Sequence, residues 1–163
     1  MNGRSYSIFG AGDLAYLVFR QLIKRDVTNE INFVVDSRVS CHPKLSDKKI
    51  FDLKAFRESS ELSERELIFA VGYRNPKQRA RALANALECG LNIVNFSFTN
   101  LTDGDLHFRG LGNLVLPDVV LESGVRAGNG NVFWSGSHLC HDIEVGDCNF
   151  FALVFNKIDI RIK

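Results

Sequence analysis

Apolar residues recur every six positions along the C-terminal half of the chain. Val115, Leu121, Ala127, Phe133, Leu139, Val145 and Phe151 form one unbroken column. A helix repeats near 3.6 residues and a half-buried strand at two, so neither accounts for a period of six. A parallel β-helix does. Each hexapeptide makes one short face of a three-sided coil, and every sixth side chain points into the bore. Stacked coils then bury the column against itself. From Val115 to Ala152 there is room for a little over two coils, fewer than the three or so units that repeat folds usually need. The next inward position after Phe151 is Lys157, a charge that is costly in the bore without a partner. From there Ile158, Ile160 and Ile162 alternate with charged residues, which predicts an ordinary strand.

The first half follows another rhythm. Residues 6–9 read as a short buried strand, and Leu14, Ala15, Val18, Phe19 and Leu22 make a helical stripe. Residues 31–35 are a second strand and 67–71 a third, with a polar loop over 41–49 and a short helix over 52–57 between them. Pro76 suits a first helical position; Ala80, Leu83, Ala84 and Leu87 continue that helix and Gly90 closes it. A fourth strand follows over 91–96. Strands alternating with helices predict a parallel sheet. Residues 1–98 therefore form a small Rossmann-like α/β domain, and 111–163 the β-helix. Residues 99–110, rich in turn formers at Thr99 to Asp105, read as the linker.

The first strand runs into Gly10-Ala11-Gly12-Asp13-Leu14-Ala15. Gly-x-Gly-x-x-Ala between a strand and a helix is a phosphate-loop pattern. Gly10 permits the tight turn, Gly12 lets a ligand reach the backbone, and Ala15 allows close packing of helix on strand. The second strand ends in Asp36, placed to accept hydrogen bonds from a ribose or base. The same glycines also serve as a plain turn, and Asp36 as a strand terminator. A dinucleotide normally spans two such halves, so a nucleotide-linked small molecule suits this one better than NAD.

Charge narrows the partners. The chain carries 20 Lys and Arg against 19 Asp and Glu, and a balance so even predicts neither nucleic acid nor an anionic membrane as a partner. No apolar run approaches the ~20 residues that cross a bilayer. Residues 1–7 lack a secretory pattern, and the four cysteines form no CxxC pair, which predicts free thiols in the cytoplasm.

Candidate chemistry lies in Ser135-Gly136-Ser137-His138-Leu139-Cys140-His141-Asp142. Histidine is the usual general base at neutral pH, and an adjacent carboxylate can orient it. His138 and His141 equally fit exposed coil corners with no role. A zinc reading would take His138-x-x-His141 with Cys140 or Cys148, but that spacing matches no closed-site pattern, and no metal is expected.

Taken together, the chain resembles the sugar acyltransferases of the sialic acid O-acetyltransferase family, including bacterial enzymes that N-acetylate nucleotide-linked amino sugars. Ile8-Phe9-Gly10-Ala11-Gly12, Val34-Val35-Asp36, residues 69–75 and the hexapeptide run through His141-Asp142-Ile143-Glu144-Val145-Gly146-Asp147 carry the resemblance. It implies a left-handed β-helix, a homotrimer, and acetyl-CoA as acyl donor without a metal. It implies that Gly10, Ala11, Gly12 and Asp13, then Asp36, Ser37 and Arg38, then Gly72 through Asn75 with Tyr73 among them, hold the nucleotide. His141 would be the general base, Asp142 its orienting carboxylate, and His138 a substrate contact. The implied reaction transfers an acetyl group to an amine or hydroxyl of a nucleotide-linked sugar, in surface polysaccharide or glycan synthesis. Relatives continue for several coils after the His-Asp turn and carry much of the CoA site there, so this chain reads as C-terminally short. The alternative is thus a shortened, non-catalytic nucleotide-sugar-binding or assembly protein.

Overall fold

The computed structural model describes residues 6–25, 31–36, 41–59, 62, 64–101, 106–152 and 154–155. The chain divides into two units, Met1–Val94 and Asn95–Lys163.

The first unit is a five-stranded sheet with helices between its strands. In chain order it comprises β1 (Tyr6–Phe9), α1 (Asp13–Lys24), β2 (Asn32–Val35) and a 3-10 turn at Pro43–Leu45. Then come β3 (Ile50–Asp52), α2 (Leu53–Glu58), β4 (Glu66–Phe69), α3 (Pro76–Glu88) and β5 (Ile93–Val94). The sheet order is β3-β2-β1-β4-β5, and all its pairings are parallel. The chain first builds outward from β1 through β2 to β3, then returns to the other side of β1 with β4. The order reverses between β1 and β4, and in open α/β sheets a crevice opens at such a point.

Hydrophobic runs with no polar alternation suit strands covered on both faces. Ile8, Phe9, Phe33, Val34, Leu67 and Ile68 are accordingly buried. Helix ends follow local chemistry. The Asn75 side chain accepts from the Gln78 main-chain N–H, Pro76 occupies the first turn, and Gly90 past the other end has φ +74°. Asp52 caps α2 by accepting from the Ala55 N–H at 2.7 Å. β3 was not expected. Its three residues are too short to show a period, and only Phe51 among them is half-buried.

The second unit is a three-sided parallel β-helix. Its strands are β6 (Phe96–Ser97), β7 (Leu106–Phe108), β8 (Leu114–Val115), β9 (Val120–Leu121), β10 (Val125–Ala127), β11 (Val132–Phe133), β12 (His138–Leu139), β13 (Glu144–Val145), β14 (Phe150–Phe151) and β15 (Val154–Phe155). They form three parallel sheets, ordered β13-β10-β7, β14-β11-β8-β6 and β15-β12-β9. Val115 pairs with Phe133 and Phe133 with Phe151, eighteen residues on each time. Three hexapeptides thus make one coil. All seven column residues are buried, none more than 8% exposed. Phe133 and Phe151 stack inside at 5.3 Å.

Two strands precede the expected start of the coil. β7 lies within the span read as a linker and pairs with β10, while β6 pairs with β8. The continuation past Phe151 also differs from the sequence reading. Leu139 pairs with Phe155, two positions earlier than a strict period places its partner, so Lys157 does not take that register. The alternating segment at 158–162 lies outside the described residues.

Two further columns shape the coil. Gly112, Asp118, Gly124, Gly130, Gly136, Asp142 and Cys148 all have φ between +56° and +78°, again every six residues. Each marks a corner where the backbone turns left-handed. Glycine does this without penalty, whereas another L residue costs about 1–2 kcal/mol. The second column is Asn95, Asn113, Asn131 and Asn149, one per coil. Asn131 donates through Nδ2 to Asn113 Oδ1 at 2.9 Å and accepts at Oδ1 from the Asn149 main-chain N–H at 2.8 Å. Asn113 makes the equivalent bonds to Asn95. Buried corner groups therefore find partners in the next rung.

Candidate active site

In the first unit, Gly10, Ala11, Gly12, Asp13, Asp36, Gly72, Tyr73 and Asn75 line one cavity of about 290 Å³. It lies over the carboxyl ends of β1, β2 and β4, where the strand order reverses. The glycines differ in what they do. A Cβ on Gly10 would fall 2.6 Å from the Ala70 carbonyl oxygen, and Gly10 has φ +130°. It is glycine so that β1 can leave the sheet against β4. Cβ atoms on Gly12 or Gly72 would meet nothing within 4 Å. These two leave backbone open to the cavity. Gly12 also stands at the N-cap of α1 and gives the helix no side-chain cap. The first-turn N–H groups are therefore available to an anion. Ser37 and Arg38 lie outside the described residues.

Sequence reasoning missed Arg79. It falls on the helical pattern of α3 but is 1% exposed, contrary to the usual place of arginine. Its guanidinium donates to the Val71 and Phe69 carbonyl oxygens and lies 4.5 Å from the centre of the Phe69 ring. It thereby anchors the end of β4 as the chain enters the cavity wall. Arg74 also lines the cavity and pairs with Asp13 at 3.9 Å, an exposed contact worth little by itself.

In the second unit, His141 and Asp142 occupy a corner just past β12. His141 Nδ1 lies 2.9 Å from Asp142 Oδ2. A carboxylate can only accept, so the ring proton of neutral His141 resides on Nδ1 and the lone pair on Nε2. That is the tautomer a general base needs. The carboxylate is held by the corner itself. Asp142 has φ +60°, and its main-chain N–H donates to the Ser123 carbonyl oxygen at 3.0 Å. Below it is Gly124, where a Cβ would lie 2.5 Å from Asp142 Oδ1. Gly124 thus makes room for the carboxylate. The imidazole is half-exposed, so proton exchange is open to solvent or substrate.

Glu122 joins this corner from the coil before, and sequence reasoning gave it no role. Oε2 accepts from the His141 main-chain N–H, and Oε1 lies 2.9 Å from His138 Nε2; both contacts are 2.9 Å. The His138 ring, and then the His141 N–H, hold the Glu122 carboxyl below the usual carboxylate range. One carboxylate therefore ties both histidines together. The signal that could have found it is the coil length. With Leu121 paired to Leu139, Glu122 falls opposite Cys140. His138 is accordingly turned toward Glu122, while His141 is turned toward Asp142.

No protein-family model matches the chain, and no curated protein matches it in sequence. Its architecture, a parallel α/β sheet followed by a parallel β-helix, does recur among solved acetyltransferases. The acetyltransferase domain of PglB from Neisseria gonorrhoeae FA1090 superposes with a TM-score of 0.66 at 19% identity, covering 91% of this chain and 70% of that one. The same domain in complex with acetyl coenzyme A gives 0.68 at 19% identity, with coverage of 91% and 70%. PerB from Caulobacter crescentus, in complex with CoA and GDP-perosamine, also gives 0.68 at 19% identity, over 92% of this chain and 69% of that one. At this level of identity the likeness is one of fold.

Proposed function

We propose that this chain is an acetyl-CoA-dependent acetyltransferase acting on an amine or hydroxyl of a nucleotide-linked sugar. We read it as a member of the sialic acid O-acetyltransferase family. Its Rossmann-like domain, the unit Met1–Val94, takes the nucleotide, and the unit Asn95–Lys163, in which β6 and β7 already belong to the coil, is a left-handed β-helix. The observation that carries the reading is the His141–Asp142 pair, with its Nε2 lone pair presented on a β-helix corner. The fold match to proteins solved with CoA, acetyl-CoA and a GDP-sugar supports it.

In this reading the glycine-lined crevice holds the nucleotide through main-chain N–H groups, with Asp36, Ser37, Arg38 and the segment Gly72 to Asn75 around it. His138 contacts the sugar. His141 Nε2 takes the proton as the sugar nitrogen or oxygen attacks the thioester carbonyl carbon. A main-chain N–H stabilises the oxyanion. The C–S bond then breaks, and the imidazolium returns its proton to the departing thiolate. The products are the acetylated sugar nucleotide and CoA thiol. Asp142 stabilises the imidazolium between the two transfers. The half-exposed base also motivates a homotrimer, in which a neighbouring subunit covers His141 and completes the donor site. A cytoplasmic enzyme supplying surface polysaccharide fits such a substrate.

The test is release of CoA thiol when purified protein meets acetyl-CoA and an amino-sugar nucleotide. Turnover that disappears in His141→Asn supports the reading. Absence of turnover in the wild type, with the sugar nucleotide still bound in calorimetry, overturns it.

A further inference from the structure

Around the ends of β9 and β12 lies a side-chain set of which the proposed acyl transfer uses only part. Glu122, His138 and Cys140 place a carboxylate oxygen, a ring nitrogen and a sulfur within 4.8 Å of one another. Strand geometry explains the convergence. Cys140 directly follows β12 and is two residues from His138, so the two share a side, while Leu139 between them points into the bore. The next strand, paired Leu121 to Leu139, brings Glu122 opposite Cys140. The three are half-buried, within reach of solvent, and Cys140 is in no disulfide.

We infer that Glu122, His138 and Cys140 form a binding site for a zinc-class divalent cation. A thiolate and an imidazole favour Zn²⁺ over Mg²⁺ or Ca²⁺. A carboxylate and a thiolate match its charge, with the imidazole neutral. Three protein ligands leave a fourth tetrahedral position for water or a fourth donor. Metal–ligand distances of about 2.0–2.3 Å put ligand atoms roughly 3.5 Å apart. His138 Nε2 and Glu122 Oε1, now 2.9 Å apart, need open only slightly, and the thiol swings toward them. The ion takes the place of the proton shared by His138 and Glu122 and also displaces the thiol proton, so binding weakens as pH falls. The sequence pattern concealed the site because Glu122 comes from another coil, and the pair His138-x-x-His141 distracts from it.

Glu122 also holds the His141 main-chain N–H, so metal binding reaches the proposed base. Resting on the acetyltransferase reading, occupancy of the site inhibits transfer by pulling Glu122 away from the His141 turn.

The test is titration of the full chain with Co²⁺, following thiolate-to-cobalt charge-transfer absorption, then displacement by Zn²⁺. One equivalent is expected to bind. Cys140→Ser is expected to remove the band and weaken Zn²⁺ binding by about 100-fold or more, since loss of a ligand exceeds loss of a ligand-orienting partner. Cys89→Ser leaves both unchanged. Circular dichroism matched to wild type separates loss of the ligand from loss of the fold, and Glu122→Gln gives a second weakened variant. Absence of a saturable band, or a band that survives Cys140→Ser, overturns the site. Because metal binding is read without substrate, its failure is distinct from failure of the acetyltransferase reading. In the transfer assay, Zn²⁺ inhibits the wild type and spares Cys140→Ser; equal inhibition of both overturns the coupling to His141.

Discussion

The two units build their sites by opposite means. The crevice of the first is made by what is missing. Gly12 and Gly72 have no side chain, and backbone faces the space they leave. The corner of the second is made by what is stacked: Glu122 reaches His138 and His141 from the coil below, and Gly124 admits the carboxylate of Asp142. A crevice of the first kind is written in short runs of adjacent residues. A corner of the second kind is written in residues one coil apart, and it depends on the register of the whole stack.

The largest effect should come from the corner. His141→Asn is expected to lower acetyl transfer by about 10²–10⁴-fold, the usual contribution of a general base, while calorimetry shows sugar-nucleotide binding unchanged. Loss of binding as well would tie the two sites together more closely than the contrast allows. Next come the glycines. Gly10→Ala should destabilise the chain by about 2–4 kcal/mol in denaturant unfolding, through φ +130° and the clash with the Ala70 carbonyl oxygen. Gly12→Ala, two residues on, should leave stability unchanged and weaken nucleotide binding. Equal stability losses in both would mean the crevice is a packing feature only.

Register is tested by Asn131→Ala. It strips partners from the Asn113 and Asn149 rungs in a fully buried setting and should cost about 2–3 kcal/mol, read by the unfolding midpoint. A cost near zero would show that the coil does not depend on its rungs. Asp142 then separates backbone from charge. Asp142→Ala should lose about 1–2 kcal/mol from the left-handed corner, whereas asparagine tolerates it. Both variants should lower transfer by more than about tenfold, since the tautomer of His141 is no longer fixed. The smallest effect is the pH dependence of Glu122. Its carboxyl is held below the ordinary range, so its stabilisation is present above the unfolded Glu value, about pH 4.3, and is lost as pH falls through the lower folded value. The gap in melting temperature between wild type and Glu122→Gln should be widest above that range and close below it.

Much of this was legible in the sequence because it was periodic or adjacent. The inward column was visible because its period is short and all its members are apolar. Gly10 to Asp13 and Gly72 to Asn75 stood at strand ends, so pattern and place agreed, and the structure brings them to one cavity. Glu122 was invisible because its partners are 16 and 19 residues away, and only paired strands bring them together. The asparagine column has an eighteen-residue spacing that a search by six passes over, since Leu101, His107, Val119, Val125, Ser137 and Ile143 fill the steps between. Arg79 hid behind its chemistry, a cation placed where a helical pattern calls for an apolar residue.

The asparagine rungs have a consequence for how such a chain can change over generations. The inner rungs, Asn113 and Asn131, make bonds both to the one below and to the one above, so substitutions at a single rung are felt locally and can be compensated there. A gained or lost codon is another matter. One residue inserted between Asn113 and Asn131 would shift every later strand by a position and turn its buried face outward. Viable length changes are therefore expected at corners, as looped-out segments, or in steps of whole coils. Descendants of this chain should differ in spelling far more readily than in spacing.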